Sequence, residues 1–284
     1  MLFFDDHQRY YQAACKKTCH TEFDLLVTVD IMKKRVQPHL RVGEDDVEEI
    51  VLIAGNPDRV PKIAAKMKDA EEVARYRGFV TYRAYTPKGV PLNISGTGIG
   101  TPSTHICVEE FANVGAKTFI RVGSCGGISL AVQTGDVVVP TACIRDERTS
   151  LNYAPMEYPA VATPELYAAL YDEIKKLLPH DRVHSGICWT SDVYYVGEAN
   201  NQLDIWTKAR VKCVEMESSM LYVFAQTKGL EAASILACDG NLHTGQKGEQ
   251  EDETEETGEQ NPLMIEAVEK EIEATISAID KLYS

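Results

Sequence analysis

From Ile50 onward, short runs of consecutive apolar residues alternate with helix-like stretches. IVLIAGNPDRVPKIAAKM predicts a buried strand, a Gly/Pro turn and a helix. GVPLNISGTGIGTPSTHICVEEFANVGA predicts a strand, a glycine-rich turn and a second helix. KTFIRVGSCGGI predicts a strand and another glycine-rich turn, and DVVVPTACIRDE a further strand. A helix over 164–178, a strand near His184–Trp189 and helices over 198–209 and 217–228 follow. The strand AASILACDG and a last helix from Pro262 to Tyr283 complete the series. Continuously apolar strands are those covered on both faces. Their alternation with helices predicts one α/β domain, a central mixed sheet flanked by helices, over 38–284. Residues 1–37 read as an N-terminal extension, only moderately apolar.

The 284 residues include 43 acids against 29 Lys and Arg, a net charge of −14. That balance argues against nucleic-acid binding, which neutralises phosphates with basic surface. No apolar run reaches the roughly 20 residues that span a bilayer, so no membrane partner is expected. The eight cysteines are scattered, with no Cys-x-x-Cys pair, which predicts reduced thiols in a cytoplasmic protein. Cys15, Cys19 and His20 make at most half a metal site, so none is expected. Gly245–Gln260 carries seven acids and almost nothing apolar, which predicts an exposed loop placed to serve as a lid.

Ligands of open α/β sheets bind at the carboxyl ends of strands. Three such ends are rich in glycine here: Gly55-Asn56-Pro57-Asp58-Arg59, Ser95–Gly100 and Arg121–Gly127. Glycines let backbone N–H groups approach an anion, and arginine offers a planar fork for phosphate oxygens. Each turn alone is equally readable as a tight connection. Neither the dinucleotide fingerprint nor the Walker pattern is matched. Val214-Glu215-Met216-Glu217-Ser218 sets two acids at a strand-to-helix junction. They suit either a pair of sugar hydroxyls or a helix N-terminus. Asp239, before Gly240 at the end of an apolar strand, suits proton transfer or an ordinary turn.

The ordered set GNPDR, GTGIGTPS, RVGSCG, VEMES and a late strand ending in Asp resembles the bacterial-type nucleoside phosphorylases, which act on purine nucleosides or uridine. SDVYY and the Asp-Gly pair look most like the protozoan purine enzymes. The resemblance implies phosphate binding by Gly55, Arg59, Arg121 and Ser124, with Arg77 reaching in from a neighbouring subunit. It implies nucleoside binding by Val214, Glu215, Met216 and Glu217, by Tyr194 at the base, and by His39 across the same interface. Asp239 would protonate the purine leaving group. The implied reaction is a reversible pentosyl transfer giving free base and ribose 1-phosphate. Inorganic phosphate is the co-substrate, and no metal or organic cofactor is needed. The implied assembly is a homo-oligomer with a shared site. Asn56 stands where the family usually has an acid, no arginine follows Arg210, and only His243 offers a ring in the loop after Asp239. Uridine phosphorylase is the alternative, but Gly197–Asn200 lacks the Gln-x-Arg pair that grips uracil. A nucleosidase or a non-enzymatic binding protein would have little reason to keep Arg59, Arg77 and Arg121 together.

Overall fold

The computed structural model describes residues 36–196, 202–247 and 261–284. Eleven strands form one mixed sheet. β1 (Ile50–Ala54), β4 (Pro91–Gly96) and β5 (Thr118–Gly127) lie side by side and parallel. β1 is buried along its whole length, as its unbroken apolar run requires. On the far side of β4 hangs a hairpin, β2 (Lys68–Tyr76) and β3 (Phe79–Tyr85). The sequence reading assigns no element there, because its turn is Arg77-Gly78 and not the usual Asn-Gly. Both residues have positive φ, 51° and 85°, as a tight two-residue hairpin requires.

The other half of the sheet curls. β6 (Val137–Asp146), β8 (Val183–Ser191), β9 (Cys213–Glu215) and β10 (Glu231–Asn241) continue from β5, and β10 pairs with both β6 and β5. Together β5, β9, β8, β6 and β10 close a ring. Two-residue β7 (Ala160–Val161) edges β6, and β11 (Gln246–Lys247) pairs with β10. Each ring strand contributes one buried cysteine: Cys125, Cys213, Cys188, Cys143 and Cys238. They form a continuous chain of neighbouring thiols, with 3.4 Å between the Cys188 and Cys213 sulfurs. Small polarisable side chains fill this narrow interior without leaving polar groups unmet. All six cysteines among the described residues are free and buried, as reduced thiols should be.

Helices α1 (Arg59–Ala64), α2 (Thr101–Asn113), α3 (Pro164–Leu177), α4 (Leu203–Lys208), α5 (Ser218–Lys228) and α6 (Pro262–Tyr283) accompany the sheet. α6 starts where Asn261 accepts the Leu263 N–H, 3.0 Å away, with Pro262 in the first turn. α5 ends at Gly229, whose φ of 70° a side chain would strain. Leu40 and Val42 are fully buried, so the core already includes the chain just beyond Pro38. Residues 1–35, 197–201 and 248–260 lie outside the described residues, and with them most of the extension, the Gly197–Asn200 stretch and the expected acidic lid. Among the described residues no helix is long and apolar enough to cross a membrane.

One expectation is corrected. RVGSCGG is not a turn; it is the second half of β5, paired with β10 on one side and β9 on the other. Its glycines serve proximity. A Cβ on Gly127 would lie 2.7 Å from the Val132 carbonyl oxygen and 2.9 Å from Asn241 Nδ2. Gly127→Ala is expected to cost about 1–3 kcal/mol through this overpacking, read as a lowered midpoint in urea unfolding. An unchanged midpoint would contradict so tight a closure.

Candidate active site

Three strand ends converge. After β1 the chain turns through Gly55 and enters α1 at Arg59. After β4 it turns through Gly98 and Gly100, with φ of 71° and 88°, and enters α2. A Cβ on Gly55 would find the Gly98 carbonyl oxygen at 3.6 Å, Arg121 Nη1 at 3.7 Å and Glu217 Oε1 at 4.0 Å. The absent side chain is therefore the space in which these groups meet.

Arg121 lies in the middle of β5 and is buried. Its Nε donates to Glu215 Oε2 at 3.0 Å, and its Nη2 lies 2.6 Å from Glu217 Oε2. A side chain on Gly123 would put its Cβ 2.5 Å from Arg121 Nη1, so only glycine leaves room for the guanidinium here. Burial alone would discharge Arg121; Glu217 and Glu215 overcome it and hold the cation above its ordinary range.

The two acids of VEMES divide the work. Both oxygens of Glu215 are engaged within the protein: Oε1 accepts Thr190 Oγ1 at 2.6 Å, and Oε2 accepts Arg121 Nε, the Glu217 and Ser218 N–H groups and Ser218 Oγ. Glu215 braces Arg121 and the start of α5. That is the helix-terminus reading its sequence left open. Glu217 has fewer partners: Arg121 and the Gly100 N–H, each at 2.6 Å, and the Met216 N–H. Burial raises its carboxyl while Arg121 pulls it down, and the net direction is upward. Val214 pairs with Gly126 in the sheet, and Met216 stands between the two acids.

Ser124 and Asp239 lie on the neighbouring strands β5 and β10. Ser124 pairs with Ala237, and Asp239 is the extra residue of a bulge between Cys238↔Cys125 and Gly240↔Gly126. A bulge re-aims a side chain, and Asp239 is half-buried, not sealed in the sheet. Arg59 is 8% exposed, and its Nη1 lies 3.3 Å from Glu271 Oε1. Glu271, on α6, was missed by the sequence reading. Its signal was there: Ala267, Glu271, Ala274, Thr275 and Ala278 share the buried face of α6.

Tyr194, His39 and Arg77 have neighbours of their own. Tyr194 is 66% exposed and packs edge-on against Tyr195. His39 meets Glu110, which also accepts the His39 and Leu40 N–H groups. Arg77 caps the hairpin, where it and Arg41 flank the ring of Tyr76. From β3 to β5 are three strand spacings, roughly 14 Å. His243 lies 2.7 Å from Thr207 Oγ1.

The comparisons decide the family. The model described as Phosphorylase superfamily matches residues 49–277. The chain belongs to this superfamily. It is 39% identical to a guanosine phosphorylase of Halorubrum lacusprofundi, over 87% of this chain and 99% of that one. It is 40% identical to a uridine phosphorylase of Thermococcus kodakarensis, over 76% and 82%. Its fold is similar to a crystal structure of purine nucleoside phosphorylase from Toxoplasma gondii in complex with immucillin-H. That match has a TM-score of 0.78 at 31% identity and covers 87% of this chain and 96% of that one.

Truncating Glu215 in this superfamily member leaves Arg121 buried beside a single acid. Glu215→Ala is expected to lose about 3–5 kcal/mol of stability, the cost of breaking a buried pair, measured by chemical unfolding. A loss within 0.5 kcal/mol, the range of ordinary surface changes, would contradict its bracing part.

Proposed function

We propose that the chain is a purine nucleoside phosphorylase, which cleaves inosine- or guanosine-type nucleosides with phosphate to free base and ribose 1-phosphate. The observation that carries this reading is a pair of buried arginines on neighbouring parts of the sheet, Arg59 just after β1 and Arg121 in the middle of β5, with Glu217 beside Arg121. Phosphate occupies the space Gly55 leaves, held by Arg59, Arg121 and Ser124. Binding there makes its attack on the ribose effectively intramolecular. Glu217, already acting as acceptor for Arg121 and the Gly100 N–H, takes the ribose hydroxyls, with Met216 against the sugar. Charge then builds on the departing base, and Asp239 neutralises it by donating a proton. The bulge that turns Asp239 out of the sheet supports this part. A purine can accept that proton on its ring nitrogen, and this favours purines over uridine. The uridine phosphorylases among the relatives share the phosphate and ribose chemistry and make uridine cleavage the second reading. The six buried free thiols accord with a reducing, cytoplasmic setting.

The site is shared between two subunits. Arg77 lies at the tip of the hairpin, beyond β4 from its own Arg121, and His39 lies against Glu110 of α2. A two-fold partner offering its own hairpin would complete the site. Asp239→Asn is expected to slow inosine phosphorolysis by about 10²–10⁴-fold and to leave the phosphate KM nearly unchanged. Arg77→Ala should raise that KM. Co-refolding the two variants, assayed at a phosphate concentration where each alone has lost most of its turnover, should restore about a quarter of wild-type turnover, the share of intact sites that random pairing around a two-fold axis leaves. Activity no higher than the mean of the separate variants would overturn the shared site. Equal losses in kcat and phosphate binding for Asp239→Asn would make Asp239 structural.

A further inference from the structure

Glu271 is fully buried in α6 and has one oxygen on each half of the site. Oε1 lies 3.3 Å from Arg59 Nη1, and Oε2 accepts the Ala237 N–H at 2.9 Å. Ala237 pairs with Ser124 and lies two residues before Asp239. The charged and titratable groups facing Glu271 are Arg59 from α1 and Arg121 and Cys125 from β5; β10 contributes the Ala237 amide. Burial pushes the carboxyl up to about 8, although Arg59 and the Ala237 N–H pull it down. Arg59 therefore already has a partner before any ligand arrives, and above about pH 8 that partner carries the same sign of charge as the ligand.

A dianion arriving at Arg59 would share one guanidinium with a buried carboxylate. Like charges at such a site cannot both persist, and one of them takes a proton. We propose that Glu271 is the resident counter-ion of Arg59 and a positioning residue: anion binding takes Arg59 over from it, and Glu271 picks up one proton from solvent while keeping the Ala237 N–H. This rests on the reading of Arg59 as a phosphate ligand. The sign follows from which form is present beforehand. Below about pH 8 Glu271 of the free protein already holds its proton, and the anion binds without further uptake. Above it the proton must be imported, and affinity falls with rising pH.

Sulfate is the probe, because it remains a dianion throughout this range. Titration calorimetry on the full chain, in buffers of different ionisation enthalpy, reads the proton count. Wild type is expected to take up close to one proton per site at pH 9 and few at pH 7. Its sulfate Kd should rise about tenfold per pH unit above pH 8, the limit for one linked proton. Glu271→Gln should lose both effects, and its phosphate KM at pH 9 should fall below that of wild type. Absence of proton uptake by wild type at pH 9 would overturn the proposal, and that measurement needs no variant to fold. An alkaline loss that survives in Glu271→Gln would also overturn it and pass the titration to another group, Cys125 being the nearest. Phosphate-dependent nucleoside cleavage alongside a flat sulfate profile would remove the counter-ion alone. Absence of phosphate-dependent cleavage would remove the functional reading and this one with it.

Discussion

Arg121 is a cation in the middle of a sheet, and a sheet interior does not tolerate a bare cation. The answer here is the acid pair of VEMES. Glu215 accepts from Nε, and Glu217 lies against Nη2. Much of the architecture serves that arrangement. β9 is only three residues long, yet it sets Glu215 beside β5. Thr190 and the first N–H groups of α5 occupy the rest of Glu215, so it cannot turn away. Gly123 gives the guanidinium room, and Gly55 keeps the space in front of it open.

Such a pair costs solvation on both partners, and in stability alone a packed apolar pair would often do as well. Its value lies in what it prepares. Glu217 is buried against Arg121 and has fewer partners than Glu215. Arg121 keeps an Nη group toward Gly55, where an anion would complete its set. Arg59 follows the same scheme on the neighbouring strand end, with Glu271 as its partner. Each arginine therefore waits beside a buried acid. The two acids differ in setting: Glu217 adjoins the turn at Gly100, and Glu271 is fully buried on α6.

Much of this was legible in the sequence. The apolar runs mark β1, β4, β5, β6, β8 and β10, and α6 begins and ends where its pattern does. Motifs mark Gly55, Arg59, Arg121 and Glu217; in the structure Arg121 and Glu217 face the space that Gly55 leaves, and Arg59 lies beside Glu271. What was not legible depends on distance along the chain. The glycines of RVGSCGG look like a turn because their partners, β9 and β10, lie about a hundred residues away. Glu215 and Glu217 look alike in sequence, and only hydrogen bonds to Thr190, Ser218 and Gly100 tell them apart. Glu271 is one acid among many in an acidic helix until Arg59 is seen beside it, 212 positions away. The five cysteines gain meaning only when the sheet closes into a ring.

The central claim is that the arginine pair exists to hold a phosphate that attacks a nucleoside. It is tested most directly by incubating guanosine, inosine and uridine with the purified chain, with and without inorganic phosphate, and measuring free base and ribose 1-phosphate. The account expects base release from the two purine nucleosides only when phosphate is present, with ribose 1-phosphate formed in equal amount. Release of base without phosphate, or no release from any nucleoside, would contradict it.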